Sequence, residues 1–410
     1  MKPIPSGKTR GFNMRILTAV GLLLYVSAAN AQPSAYDSWF DKIGNGLVSQ
    51  GAPEEQVVRV MKRITNLDMI NSEPGSWVYE FAVPGRTYLA RAESAEVDGD
   101  LDEALKNYRI AYGYFSASRF PALYTPERAA SYRKQLDCFF KIAQIRNFDI
   151  EIVEIPYEGK TIIGNLYKRK GDPAPVLIWS GGLDGWKDGS LDFKQRLMDA
   201  GFSVFCVDLP GTGQSQWILE ATSERIYSRI ADYLKTREDV DGTRLAAYFG
   251  SFSGVYAIKL ALKDPDFMAS VNHSGGVHAF FTPPIRELPP VTISMGMRAS
   301  ATIHAMGLKG LTFNGMFPVV PDIDVVLSTF SGFSLKYQGY LQPHANQAPL
   351  LTIHGTEDDL MPVSDVYLLT DSGIKQDTLI YEGDGHMAWE HEDDHQSKMI
   401  DWLQEKLQVK

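Results

Sequence analysis

Cysteine is nearly absent: of 410 residues only Cys138 and Cys206 carry a thiol. Export would permit them to pair, but Cys206 lies in an expected core strand, and the reading is two buried free thiols. Positive charge is also short. Forty lysines and arginines face fifty aspartates and glutamates, for a formal net charge of −10. Such a chain has no electrostatic footprint for nucleic acid or for an anionic lipid surface. Long apolar runs are missing as well. The apolar stretch at 16–26 is too short for a stable membrane span and reads instead as the core of a secretory signal. Met14-Arg15 gives it a charged start, and Ala29-Asn30-Ala31 is a small-x-small cleavage site. The residue directly after that site is Gln32 and not cysteine, which argues against a lipoprotein. Removing residues 1–31 takes away Lys2, Lys8, Arg10 and Arg15 but no acid, so the charge moves to −14. A secreted or periplasmic protein is expected, with no stable span after cleavage; a homodimer is left open.

Also missing is a complete G-x-S-x-G, yet the stretch from Arg244 to Ala257 has its shape. An apolar run at 245–249 reads as a buried strand. Small residues follow from Gly250 to Gly254, and then a helix too apolar to be anything but packed. A strand turning sharply into a helix around a serine is the nucleophile elbow of the α/β-hydrolases. Neither Ser251 nor Ser253 has glycine on both sides at the required spacing. Register favours Ser251, because Arg244 and Ala257 then fall at the usual distances before and after it. That choice places the bulky Phe249 where a glycine normally relieves the turn.

Around the elbow, strands and helices alternate. A hairpin at 152–157 and 161–167 turns on Glu158-Gly159-Lys160. Strands are expected at 176–180, 203–207, 245–249, 268–273, 350–354 and 378–382, with helices at 191–200 and 218–234 between them. The implied architecture is α/β, a mostly parallel sheet with helices on both faces. Residues 32–148 read as a helical N-terminal domain, with helices at 86–97 and 101–118 and a third from the Thr125-Pro126 start to about 145. Its aromatics Tyr108, Tyr112, Tyr114 and Phe115 are read as core. Residues 149–279 and 345–410 form the catalytic core. At 280–344 the alternation breaks, prolines cluster at Pro283, Pro284, Pro289 and Pro290, and a lid insertion is expected. Met295, Met297, Met306, Phe313 and Phe317 there either line an apolar pocket or pack the lid down.

Chemistry gathers in the loops after strands. Asp358 stands four residues before Pro362 and is preferred to Glu357 and Asp359 as a triad acid. His386, in Gly383-Asp384-Gly385-His386, is placed as an exposed base. The order Ser251, Asp358, His386 is that of the α/β-hydrolases. The backbone N–H groups of Leu183, in Ser180-Gly-Gly-Leu-Asp184, and of Phe252 are assigned to an oxyanion hole. Asp208-Leu-Pro-Gly-Thr-Gly-Gln-Ser215 lacks the Walker lysine and is architectural. His391-Glu-Asp-Asp-His395 matches the zinc-protease pattern H-E-x-x-H. It sits in an acidic, solvated run at the start of the last helix, with little chain left for a third ligand or a cleft. No metal and no cofactor is called for.

On Ser180-Gly-Gly-Leu-Asp184, Asp208-Leu-Pro-Gly-Thr-Gly213, the elbow with Phe252, and Val277-His-Ala-Phe280, the chain resembles the FrsA-like branch of the α/β-hydrolases from about Arg86 onward. The resemblance implies a helical region ahead of a hydrolase core. It also implies kinship with carboxylesterase-like proteins and with enzymes, such as dihydroxypseudooxynicotine hydrolase, that cleave a C–C bond beside a ketone. The expectation is a serine hydrolase acting on a small-molecule ester through an acyl-enzyme on Ser251. Hydrolysis of a β-ketone C–C bond by the same triad is one alternative. A non-catalytic binding protein on this fold is the other.

Overall fold

Side chains that alternate along each strand divide between two cores, and this fixes the sheet as a middle layer. In a strand successive residues face opposite ways. Leu177, Val204, Cys206, Ala246 and Tyr248 join one hydrophobic cluster; Val176, Ile178, Phe205, Val207, Ala247 and Phe249 join the other. The computed structural model describes residues 43–282, 293–308, 312–314, 317–319, 323–343 and 346–409. The expected signal at 1–31 and the four clustered prolines lie outside them.

Helices α1 (Asn45–Ser49), α2 (Glu54–Arg63), α3 (Trp77–Val97), α4 (Leu101–Arg119) and α5 (Pro126–Ile145) come first. Strands β1 (Ile150–Tyr157) and β2 (Lys160–Tyr167) form the expected hairpin. Then follow β3 (Pro175–Ser180), α6 (Leu191–Asp199), β4 (Ser203–Val207), α7 (Glu224–Lys235), β5 (Asp241–Gly250), α8 (Gly254–Lys263) and β6 (Phe267–His273). Outside the sheet lie α9 (Ile293–Ala305), a small hairpin of β7 (Thr312–Asn314) and β8 (Phe317–Val319), and α10 (Ile323–Ser331). The chain closes with β9 (Leu350–Gly355), α11 (Ser364–Asp371), β10 (Asp377–Tyr381) and α12 (Glu392–Lys406). Eight strands pair in the order β1-β2-β4-β3-β5-β6-β9-β10. The hairpin and the β2–β4 pair are antiparallel and every later pair is parallel.

Two helix limits differ from the sequence reading. The helix expected from Arg86 begins at Trp77, capped by Ser76, and runs through Pro84. Burial of Trp77 and Phe81 outweighs the hydrogen bond that proline removes. The helix expected from Ile218 begins at Glu224. Tertiary bonds hold the preceding turn out of it: Leu219 N–H donates to Ala305, and the Tyr256 hydroxyl donates to the Glu220 carbonyl at 2.6 Å.

The N-terminal helices share one core with the sheet. Tyr108, Tyr114 and Phe115 are buried in it as expected. Tyr112 instead reaches across to the core, donating to the Asp188 carbonyl at 3.1 Å. Asp188 also accepts from Gln135 at 2.6 Å, and Arg119 donates to the Asp184 carbonyl at 3.2 Å. These contacts clamp α4 and α5 onto the loop 181–190. Both cysteines are free and buried, and burial pushes the Cys138 thiol up to about 12 and that of Cys206 to about 11. Among the described residues no helix is long and apolar enough to cross a membrane.

Candidate active site

Only β6 stands between β5 and the adjacent pair β9 and β10, so the loops leaving their carboxyl ends meet. Ser251 follows β5 directly with φ +57°, the left-handed conformation that a side chain resists and a sharp elbow imposes. Its Oγ lies 2.9 Å from Nε2 of His386. On the far side of the imidazole, Nδ1 lies 2.7 Å from Oδ2 of Asp358. A carboxylate only accepts, so Nδ1 carries the proton and Nε2 is free to accept from the serine hydroxyl. The other Asp358 oxygen takes the N–H groups of Leu360 and Met361, each at 2.9 Å. Burial works to raise the Asp358 carboxyl. The hydrogen bond and charge of His386, with those two N–H groups, outweigh it and hold the acid below its ordinary range.

Ser253 has a different occupation. Its buried hydroxyl is within 3.0 Å of the carbonyls of Ser180 and Gly250, tying the elbow to the end of β3. Phe249, the other departure from the usual pattern, packs in the second core with its ring 4.3 Å from that of Tyr227. The close approaches that demand glycine fall elsewhere. A Cβ on Gly182 would lie 2.6 Å from Cβ of Ser251, and one on Gly254 would lie 2.2 Å from Oδ1 of Asn272. The loop 181–183 therefore runs hard against the elbow, the same added Cβ on Gly182 lying 3.2 Å from the Phe252 nitrogen. Leu183 is the next residue, and its carbonyl accepts from the Trp186 indole at 2.9 Å. Among the described residues its own N–H donates to no backbone carbonyl.

Several residues that hold this arrangement escaped the sequence reading. His273 ends β6. Its Nε2 lies 3.0 Å from the Met387 carbonyl and its Nδ1 2.7 Å from the Tyr248 hydroxyl. A carbonyl can only accept, so Nε2 holds the proton and Nδ1 accepts from tyrosine. Ser274 accepts the Met387 N–H at 3.1 Å. Both grips hold a strained turn, since Met387 and Ala388 follow His386 with positive φ. His354 donates to the Met361 carbonyl at 2.7 Å and steadies the loop that carries Asp358. Burial lowers the pKa of both histidines, so they are neutral struts.

The His391–His395 pair is not the solvated run expected. His391 is exposed and bonds Asp384 at 2.8 Å, but His395 is buried, with its ring 4.7 Å from that of His273. The reason is helical spacing: His395, Met399 and Leu403 share the inner face of α12. Among the described residues no group of three ligating side chains could hold a metal. Of the five apolar lid residues, Met306 packs in the second core. The side chains of Met295, Met297, Phe313 and Phe317 lie outside the described set.

The sequence matches the model of the family described as "Esterase FrsA-like" over residues 65–408. The chain belongs to the FrsA-like esterase family. Esterase FrsA of Vibrio cholerae serotype O1 is 25% identical over 300 residues, 72% of this chain and 68% of its own. Esterase FrsA of Escherichia coli O157:H7 is 23% identical over 388 residues, 90% and 89%. Among solved structures, the 2,6-dihydroxy-pseudo-oxynicotine hydrolase superposes with TM-score 0.67 at 18% identity, over 88% of this chain and 95% of that one. AbyA5 gives 0.64 at 20%, over 85% and 93%. The fold is that of the α/β-hydrolases, and the family member described here is a hydrolase of the esterase type.

Proposed function

We propose that this esterase is a serine hydrolase that cleaves a small-molecule carboxylic ester through an acyl-enzyme on Ser251. One observation carries the reading: the unbroken chain Ser251 Oγ, His386, Asp358, at 2.9 and 2.7 Å. A serine hydroxyl is a weak nucleophile at neutral pH. As Oγ bonds to the ester carbonyl carbon, its proton passes to Nε2 of His386. Asp358 holds the tautomer and stabilises the imidazolium. The carbonyl oxygen becomes an oxyanion, for which the N–H groups of Leu183 and Phe252 are the proposed donors. One such donor is worth about 2.7–4 kcal/mol of the barrier. When the tetrahedral species collapses, the C–O bond to the alcohol breaks and His386 returns the proton to that leaving oxygen. A water, activated by the same imidazole, then releases the acid and frees Ser251.

A fluorophosphonate probe tests this on the folded protein. One adduct is expected on the Ser251 peptide, with none on Ser251→Ala. An unlabelled wild type, or equal labelling of the variant, overturns the reading. Export is proposed from residues 1–31 alone. In a bacterial host with the general secretory pathway, mature protein beginning at Gln32 is the expected product, read by intact mass. Full-length protein retained in the cytosol would contradict it.

A further inference from the structure

A cavity of about 320 Å³ opens beside the elbow. Its walls come from four parts of the chain: the turn 121–123 after α4, the loop 181–190 after β3, the turn 211–218 after β4, and the last part of α9. Leu183, with Trp186, is also in its lining, and Gly182 before it runs so close to Ser251 that a Cβ there would lie 2.6 Å from that of the serine. The cavity therefore begins one residue from the nucleophile, on the side of the proposed oxyanion donor. No aspartate, glutamate, lysine or arginine lines it. At a liquid-like volume of about 30 Å³ per water-sized group, it holds roughly ten non-hydrogen atoms.

The lining mixes apolar and polar side chains: Ala122, Ala301 and Trp186 stand in it beside Thr212, Ser215 and Gln216. Trp186 is fixed from outside the cavity: its ring meets the edge of Tyr132, and the Arg119 guanidinium lies 3.4 Å from its centroid. His304 is the one imidazole in the wall. It rests on Tyr124 with ring centroids 4.8 Å apart. Burial lowers its pKa and no acid offsets the effect, so the ring is neutral and offers one donor and one acceptor.

We propose that this cavity receives an uncharged, ring-sized group of the ester, and that His304 selects a group bearing a hydroxyl or carbonyl oxygen. The proposal deepens the serine-hydrolase reading and rests on it for the word ester. A charged group would enter without a counter-ion and lose its hydration. An apolar ring without oxygen would leave the imidazole unpaired, which is how a site built to hydrogen-bond rejects the deoxy analogue.

Binding to Ser251→Ala, which cannot turn over by this route, separates the two readings. Calorimetric titrations would use methyl benzoate, the three methyl hydroxybenzoates, the three methyl toluates as isosteres, and methyl acetate. At least one hydroxybenzoate should bind tenfold or more tighter than its toluate. Ala301→Trp, added to that background, should weaken the aromatic esters tenfold or more. Ala122→Trp does the same from the turn 121–123 and serves if the first variant fails to fold. His304→Phe should erase the preference for hydroxyl over methyl while toluate binding persists. Failure of every aromatic ester to saturate, indifference to both tryptophans, or a hydroxyl preference that survives His304→Phe would each defeat the proposal. Fluorophosphonate labelling of wild type is read separately. A labelled Ser251 with an indifferent cavity sinks the cavity alone; an unlabelled Ser251 with the expected binding sinks the hydrolase and leaves the ligand class standing.

Discussion

Ser251 and Ser253 stand two residues apart and do different work, because one faces an imidazole and the other faces two carbonyls. Ser253→Ala should cost about 1 kcal/mol of stability, the usual net worth of a buried hydrogen bond, while fluorophosphonate labelling of Ser251 persists. Urea unfolding and labelling rate, measured on one preparation, check both halves. Loss of labelling in a folded Ser253→Ala protein would reverse the assignment of the two serines. Asp358→Asn should leave the fold intact and lower kcat by on the order of 10⁴, because an amide can present its NH₂ to the imidazole and favour the wrong tautomer. Ester turnover reads this directly, and a loss under tenfold would remove Asp358 from the mechanism. The three residues of this chain were legible because each follows a strand in a short loop with small or proline neighbours, a local signal. His273 was not. Its partner Met387 lies 114 residues further on, and nothing near His273 in sequence marks the contact.

The elements were legible where their period was strong, and their ends where a cap was local. Thr125 caps α5 as read, and Asp100, which the sequence reading had not singled out, caps α4, each accepting an N–H three residues on. The start of α7 was missed because bonds to α8 and α9 decide it. A deeper omission is Asp365, near the start of α11. Its buried carboxylate accepts the N–H groups of Val277 and Ala279, both at 2.8 Å, and of His278 at 3.0 Å. It is thus the pin that holds the loop after β6, whose sequence Val277-His-Ala-Phe280 had been recognised without its partner. Phe280 and Phe281 in that loop pack against Phe252 of the elbow, with ring centroids 6.0 and 5.5 Å away. Asp365→Ala should therefore destabilise the protein by about 2–3 kcal/mol, since hydrogen bonds to a charged group are lost and buried N–H donors are left open. It should also slow labelling of Ser251. Guanidinium unfolding tests the first effect, and a change below 0.5 kcal/mol would show that the loop holds itself.

At the scale of the whole molecule, the helices before the sheet share its core, from Phe81 and Phe139 through to Met399 and Leu403. Heat or urea should accordingly unfold helices and sheet together, with far-ultraviolet and near-ultraviolet signals coincident; two separated transitions would show that the helical part folds alone. Acid should find a weak point in that shared core. His395 is buried, and among the described residues neither of its ring nitrogens has a hydrogen-bond partner. Burial pushes its pKa down to about 4, against the opposing pull of Asp384 and Asp394 and with help from Arg196 and His391; the rings of His273 and Tyr381 complete its surroundings. The unfolded chain then takes up this proton at higher pH than the folded one. Stability from His395 is complete above about pH 6.5, falls as pH drops toward 4, and is flat below. A shift of this size corresponds to on the order of 3 kcal/mol. His395→Leu fills the same inner face of α12 without a titrating group, so its unfolding free energy should fall less between pH 7 and pH 4 than that of wild type. Parallel curves for the two proteins across that range would mean that acid enters elsewhere, with His273 the next buried imidazole to replace.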